Sequence, residues 1–286
     1  MSAVASAVWK GRGCTLDLTY PRFMGVVNVT PDSFSDGGRY LQTGAAIEQA
    51  LQLQVEGADI VDIGGESTRP GAPPVAVDQE LERVLPVIAG VRRRSEVLIS
   101  VDTTKAQVAR EAVAAGANFV NDISGGSFDP QMFTTVARSG AGLVVMHTRG
   151  TPATMQHNTS YGDLVPEVES FLRQAAEAAQ AAGVRHDYIA IDPGIGFGKS
   201  AAGNLALLHQ AGRFHRLGFP LLLGTSRKSF IGAILQQDDP EQRLYGTLAT
   251  VAAGVGQGVQ LFRVHDVRAT REAALVAWAI REQRLP

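Results

Sequence analysis

The chain has 286 residues, an ordinary length for one α/β barrel of about 250 residues and long for most other single domains. Hydrophobic residues make up 45% and charged residues 19%, so a large core can be buried and disorder is not the expected state. With 26 Lys and Arg against 28 Asp and Glu the formal net charge is −2, which gives no electrostatic reason to expect nucleic acid or an anionic membrane as partner.

The lone cysteine, Cys14, excludes a disulfide within the chain and argues against a cysteine-built metal site. The opening MSAVASAVWKGRG has no long apolar stretch of the kind a secretory signal carries. No apolar run approaches the ~18 residues of a membrane span, so the default expectation is a cytoplasmic protein.

Residues 9–20 read as a short hairpin, placed to plug the bottom of whatever follows. From there a cycle recurs: a β-rich apolar run, a polar end, then a helical segment. Strands are predicted at 22–28, 59–63, 97–101, 118–121, 142–146, 188–191, 220–223 and 260–264. The helices between and after them are predicted at 43–56, 78–94, 104–115, 130–139, 163–182, 201–217, 241–256 and 267–284. Gly57, Gly116 and Gly183 fall just past helical stretches, where a left-handed residue ends a helix. The strands are almost continuously apolar, which suits a parallel sheet covered on both faces. Eight such units without a break in composition predict a single (β/α)₈ TIM barrel over 22–286, preceded by an N-terminal extension and hairpin over 1–21. A doubly wound sheet shows the same alternation and is the second choice.

Asn28, Asp62, Asp102, Asn121, Asp122, His147, Asp192, Lys228, Arg263 and His265 all fall at or just past the C-terminal ends of these strands. In a closed barrel those ends share one face, where barrel enzymes keep their active sites. Taken singly, an Asp or Asn at such a position also reads as the N-cap of the next helix.

Eight blocks occur in order: GVVNVTPDSFSDGG (25–38), DIGGESTRPG (62–71), SVDTTKAQVA (100–109), NDISGG (121–126), MHTRGTPATMQ (146–156), DPGIGFGK (192–199), GTSRKSFIG (224–232) and RVHDV (263–267). Together they resemble the dihydropteroate synthase family, over roughly residues 22–285. The resemblance implies a transferase of folate biosynthesis that joins 6-hydroxymethyl-7,8-dihydropterin pyrophosphate to p-aminobenzoate, giving 7,8-dihydropteroate and pyrophosphate. It implies that Asp102 and Asp192 accept hydrogen bonds from the pterin ring and that Asn121 reads a donor and an acceptor on it. By the same resemblance Lys228 contacts ring acceptors beside the p-aminobenzoate site, and Met146 and Phe197 form apolar walls. Arg263 and His265 match the pyrophosphate site, and Asn28 matches a ligand of Mg²⁺, an ion that takes few protein ligands and keeps several waters. Two loops are implied to close over the substrates. Loop 1 brings Phe34 against the aromatic ring and Asp36 toward the cation formed as pyrophosphate leaves; loop 2 brings Thr68, Arg69 and Pro70.

The implied catalytic set is Asp36, Lys228, Arg263 and His265, acting by positioning and electrostatics without a covalent intermediate. The family also implies a homodimer built on late helices and a sulfonamide-sensitive pocket. Two other readings share the pterin readers. One is a methyltetrahydrofolate-dependent methyltransferase, which would not need the SRKSF, TRPG and RVHDV blocks; the other is a pterin-binding paralogue without the activity. Two positions depart from the family's habit: Thr104, where a bulkier residue is common, and Thr148, where Met is common.

Overall fold

A computed structural model describes residues 8–30 and 39–286, and of 39–41 the backbone only. Phe34 and Asp36 lie outside the described residues. The chain opens with an antiparallel hairpin, β1 (Val8–Gly11) and β2 (Cys14–Asp17). Eight parallel strands follow: β3 (Arg22–Asn28), β4 (Ile60–Gly64), β5 (Leu98–Asp102), β6 (Phe119–Asp122), β7 (Gly142–Met146), β8 (Ile189–Asp192), β9 (Leu222–Leu223) and β10 (Leu261–Val264). Each pairs with the next in sequence from β3 to β8, and β10 pairs with both β9 and β3. The ring closes between β8 and β9 through a parallel bridge of Ile191 with Leu221 and the bond from Ile191 N to Pro220 O at 2.9 Å. The helices are α1 (Arg39–Val55), α2 (Val77–Arg92), α3 (Ala106–Ala115), α4 (Met132–Ser139), α5 (Leu164–Ala181), α6 (Ala201–His209), α7 (Ser229–Leu235), α8 (Leu244–Gly256) and α9 (Val267–Glu282). None among the described residues is long and apolar enough to cross a membrane.

Strand alternation sorts the side chains into two sets, because successive residues point to opposite faces. Phe23, Val27, Val61, Ile63, Ile99, Val101 and their counterparts on later strands pack outward against the helices in the large core. Met24, Ile60, Phe119, Val144, Ala190, Leu222 and Leu261 turn inward and meet Trp9, Leu16 and Leu18 of the hairpin in a second core. That inner layer fills the N-terminal end of the barrel. Trp9 is fully buried, its ring 4.1 Å from that of Phe119, and its Nε1 donates to Tyr188 O at 3.0 Å. The hairpin therefore stoppers the bottom, and burying side chains of this size contributes about 1.5–3 kcal/mol each.

Three elements differ from the sequence expectation. The seventh barrel strand shrinks to two residues, because Pro220 has no N–H and Leu221 N bonds to the Gln260 side-chain oxygen at 3.0 Å instead of to a ladder carbonyl. The helix expected over 201–217 divides into α6 and a 3₁₀ segment, Ala211–Leu217. Gln257 wedges in at the join: its Nε2 donates to Leu208 O at 2.6 Å and its Oε1 accepts from Gly212 N at 3.1 Å. A helix not expected from the sequence, α7, follows β9; seven residues are too few for a clear period.

Candidate active site

Above the apolar inner layer the inward side chains become polar. Register places Asn28 beside Gly64, Gly64 beside Asp102 and Asp102 beside Asn121, while Asp62 neighbours Ser100 and Met146 neighbours Asp192. Arg263 reaches into this layer from β10. Its Nε donates to Asp62 Oδ2 and its Nη2 to Asp102 Oδ2, each at 2.6 Å. Asn121 Nδ2 donates to the same Asp62 oxygen at 3.1 Å. The second oxygens, Asp62 Oδ1 and Asp102 Oδ1, and Ser100 Oγ are buried with no partner among the described residues. Unmade hydrogen bonds at buried carboxylates are costly, so the cluster is shaped to accept from something else.

Burial raises Asp102 to about 7, with Arg263 opposing and Asp62 adding to the rise. Burial likewise lifts Asp192 to about 6, against the bond from Gly194 N to its Oδ1 at 2.7 Å and the charge of Lys228. For Arg263 burial works against the charge, but Asp62 and Asp102 outweigh it and hold the guanidinium more firmly charged than usual.

Lys228 reaches the site because Arg227, just before it, adopts a left-handed backbone with φ of 58°. That turn is held by Arg227 itself, whose Nε and Nη2 grip Asp266 at 3.0 and 2.7 Å. Lys228 Nζ then lies 4.2 Å from the centroid of the Phe197 ring. Burial, and next Arg263, lower Lys228 to about 8. Met146 and Phe197 form a small apolar cluster with Ile123 and Met155 on this side.

The segment after β8 must pass tightly. A Cβ on Gly194, whose φ is 70°, would sit 1.9 Å from His147 O, so only glycine fits there, and Gly196, with φ of 86°, holds a backbone conformation that favours glycine. Lys199 is buried beneath this loop, where Nζ donates to Gly194 O and Phe197 O at 2.8 Å and meets His147 Nδ1 at 2.9 Å. Burial, and next Lys199, lower His147 to about 3.

His265 stands at the end of β10. Ser226 Oγ accepts from His265 N at 3.2 Å and lies 2.9 Å from its Nδ1. A serine proton directed at Nδ1 would leave the ring hydrogen on Nε2. Burial, with Arg263 next, lowers His265 to about 3, so the imidazole stays neutral.

The structure thus brings together Asp102, Asn121, Asp192, Lys228 and Arg263, with Met146 and Phe197 beside them and His265 and Asn28 at neighbouring strand ends. Thr68, Arg69 and Pro70 stand apart, half-buried to exposed in the loop after β4. Their loop bonds to the loop after β7, through Gly71 N to Pro152 O at 3.0 Å. Asp122 and His147, also at strand ends, turn away: Asp122 accepts from Ser124 N, Ser124 Oγ and Gly126 N and stitches its own loop. Alternation carried that signal, since each follows an inward residue. Asp62 stood among the polar strand ends without a role, and it proves to be the hub of the cluster.

A family model for pterin binding enzymes matches residues 24–265. The dihydropteroate synthase of Synechocystis is 49% identical over 257 residues, covering 90% of this chain and 89% of the relative. The chain belongs to the dihydropteroate synthase family. Among solved structures, a dihydropteroate synthase of Xanthomonas albilineans with 4-aminobenzoic acid superposes with a TM-score of 0.91 at 44% identity, covering 99% of this chain and 100% of that one. The enzyme from the same organism in complex with 7,8-dihydropteroate gives 0.86 at 39% identity, covering 98% and 100%.

Proposed function

We propose that this chain catalyses dihydropteroate synthesis. The exocyclic C–O bond to pyrophosphate breaks, the aniline nitrogen of p-aminobenzoate bonds to that carbon, and the amine's proton passes to water. The observation that carries this reading is the pair of unpartnered carboxylate oxygens beside Asn121 and Asp192 in a barrel mouth that also holds Arg263 and Lys228. A 2-amino-4-oxo pyrimidine edge supplies the N–H donors those oxygens need.

In this reading Asp102 and Asp192 accept from the ring and its amino group. Asn121 has one amide hydrogen fixed on Asp62, so its other hydrogen and its oxygen face the ligand. Lys228 stays largely charged at neutral pH and touches ring acceptors at the edge of the p-aminobenzoate pocket. Asp62 holds Arg263 through Nε, so the Nη groups can exchange Asp102 for a pyrophosphate oxygen. Neutral His265 donates from Nε2 to the same anion, and the first-turn N–H groups of α9 add to it. Phe34, Thr68, Arg69 and Pro70 are assigned to the aromatic amine, whose pocket would also admit sulfonamides, and Asp36 to the developing cation.

Magnesium fits this donor set in a limited way. No group of three His, Cys, Asp or Glu among the described residues could cage an ion, and Asn28 offers a single amide oxygen at the mouth. Such a site suits an ion whose other ligands are pyrophosphate oxygens and water, where it would neutralise charge on the leaving group. We also infer a homodimer, with the cytoplasm as its compartment. Tyr245 on α8 and Val276 and Ile280 on α9 support the dimer, since they stand 81%, 62% and 73% exposed on helices that pack together.

The test is pyrophosphate release, which should require both substrates. Lys228→Ala and Arg263→Ala should lower turnover strongly while melting stays cooperative. Wild-type turnover in both variants would remove the site assignment, and no release by the unaltered chain would remove the function.

A further inference from the structure

The loop between β4 and α2 is stitched at its neck. Glu66 Oε2, two residues past β4, accepts from Val75 N at 3.3 Å and so encloses residues 67–74. The same oxygen receives Lys105 Nζ, which also donates to Glu80 Oε2 on α2. Lys105 lies three residues past Asp102, so the neck is tied to the strand end that carries a pterin-facing carboxylate. Arg83 Nη1 adds a bond to Gly65 O at 2.7 Å. The far side of the loop is fixed by Gly71 N to Pro152 O at 3.0 Å. Around the ring the strands run β4, β5, β6, β7, so the bond from Gly71 to Pro152 joins two loops whose strands flank β5 and β6, which carry Asp102 and Asn121. Glu80 is wholly buried and its Oε1 has no partner among the described residues, while Lys105 and Glu66 are only 21% and 20% exposed. A buried ion triad is a poor source of stability by itself, and its best-attested use is to fix one arrangement among several.

We propose that Lys105 is a positioning residue: by gripping Glu66 and Glu80 it sets the placement of loop 67–74 over the barrel mouth, and with it the pocket for the aromatic amine. The second half rests on the assignment of Thr68 and Pro70 made above. Removing the lysine alone would strand Glu80 as a buried charge and threaten folding, so the decisive variant is Lys105→Met with Glu80→Leu. It replaces the buried pair by apolar side chains and still cuts the tie to Glu66. In this double variant the KM for p-aminobenzoate should rise about 10-fold or more, the scale of a small misplacement. The KM for the pterin pyrophosphate should stay unchanged, and Lys105→Arg should restore the wild-type value. Hydrogen exchange across residues 66–76 should quicken in the same variant, and this readout does not depend on turnover. If the unaltered chain releases no pyrophosphate, the substrate reading fails while exchange still tests the tie. Unchanged exchange in a folded double variant, or equal rises in both KM values, would overturn the proposal.

Discussion

Asp62 is the residue whose removal tests the site most directly. One of its oxygens receives both Arg263 Nε and Asn121 Nδ2, and its side chain is fully buried. Breaking a buried ion pair by deleting one partner costs about 3–5 kcal/mol. Arg263 keeps Asp102 and is 20% exposed, so Asp62→Ala should fall at the low end, near 3 kcal/mol. For a chain of this length that lowers Tm by roughly 6 °C. Catalysis should suffer more than stability, because two groups lose their aim together. A misplacement of about 1 Å is worth up to about 100-fold in kcat/KM. Asp62→Asn separates charge from geometry, since one amide oxygen can still accept from both partners. The carboxylate's charge is one of the influences that raise Asp102, so its loss should also move the acid limb of the pH profile to lower pH. Thermal melts and steady-state pyrophosphate release at several pH values read all three effects. Wild-type melting together with wild-type kcat/KM in Asp62→Ala would refute the hub.

Three further outcomes are expected. Trp9→Ala should cost about 3–5 kcal/mol through the cavity it leaves at the barrel bottom, yet leave activity per folded molecule unchanged, because the chemistry lies at the other end; melts and initial rates check this. The profile of kcat/KM should be bell-shaped, falling as pH drops through about 7 to 6, where Asp102 and Asp192 gain protons, and as it rises through about 8, where Lys228 loses one. Stability runs the other way. The folded pKa of Asp192 lies above its ordinary 3.8, so the native state holds that proton more tightly than the unfolded chain. Its contribution is full below pH 4 and is lost as pH rises through about 6, on the order of 3 kcal/mol, and Asp192→Asn should flatten that change in a chemical-denaturation series. Tyr245→Glu should shift the sedimentation of a dimer to that of a monomer, and an unchanged dimer would exclude this face.

Much of the architecture was legible because eight apolar runs with polar ends leave few arrangements in which they can be buried. What was not legible has identifiable causes. Leu221 N donates to the side-chain oxygen of Gln260, so a strand that looked four residues long ladders over only two. Gln257, 45 residues from Gly212, interrupts a helix whose own composition would have continued. Within the site the sequence placed the polar strand ends correctly but could not say what each side chain grips. Asp122 follows Asn121 and His147 follows Met146, and in both pairs alternation sends the first residue inward and the second out. Applying that rule at the sequence level would have removed two candidates. Asp62 obeys the same rule, pointing inward, but its partner Arg263 lies 201 residues away and no local pattern names it.

The exchange proposed at Arg263 would tie these observations into one mechanism. Without ligand, three inward carboxylates, Asp62, Asp102 and Asp192, surround two cations, so Arg263 must neutralise more than one of them. A pterin edge that donates to Asp102 takes over part of that work, because a hydrogen-bonded carboxylate no longer needs the guanidinium's Nη2. Arg263 is then freed at one end while Asp62 still holds it at the other, so it can turn its open N–H groups to pyrophosphate without a new search for position. Recognition of the ring and capture of the leaving group would then be a single coupled event. On this view Asp62 acts through Arg263, whatever its second oxygen accepts from the ring: it is the pivot that keeps the cation in place while its second partner changes. That is also why deleting Asp62 should harm catalysis more than its cost in stability suggests.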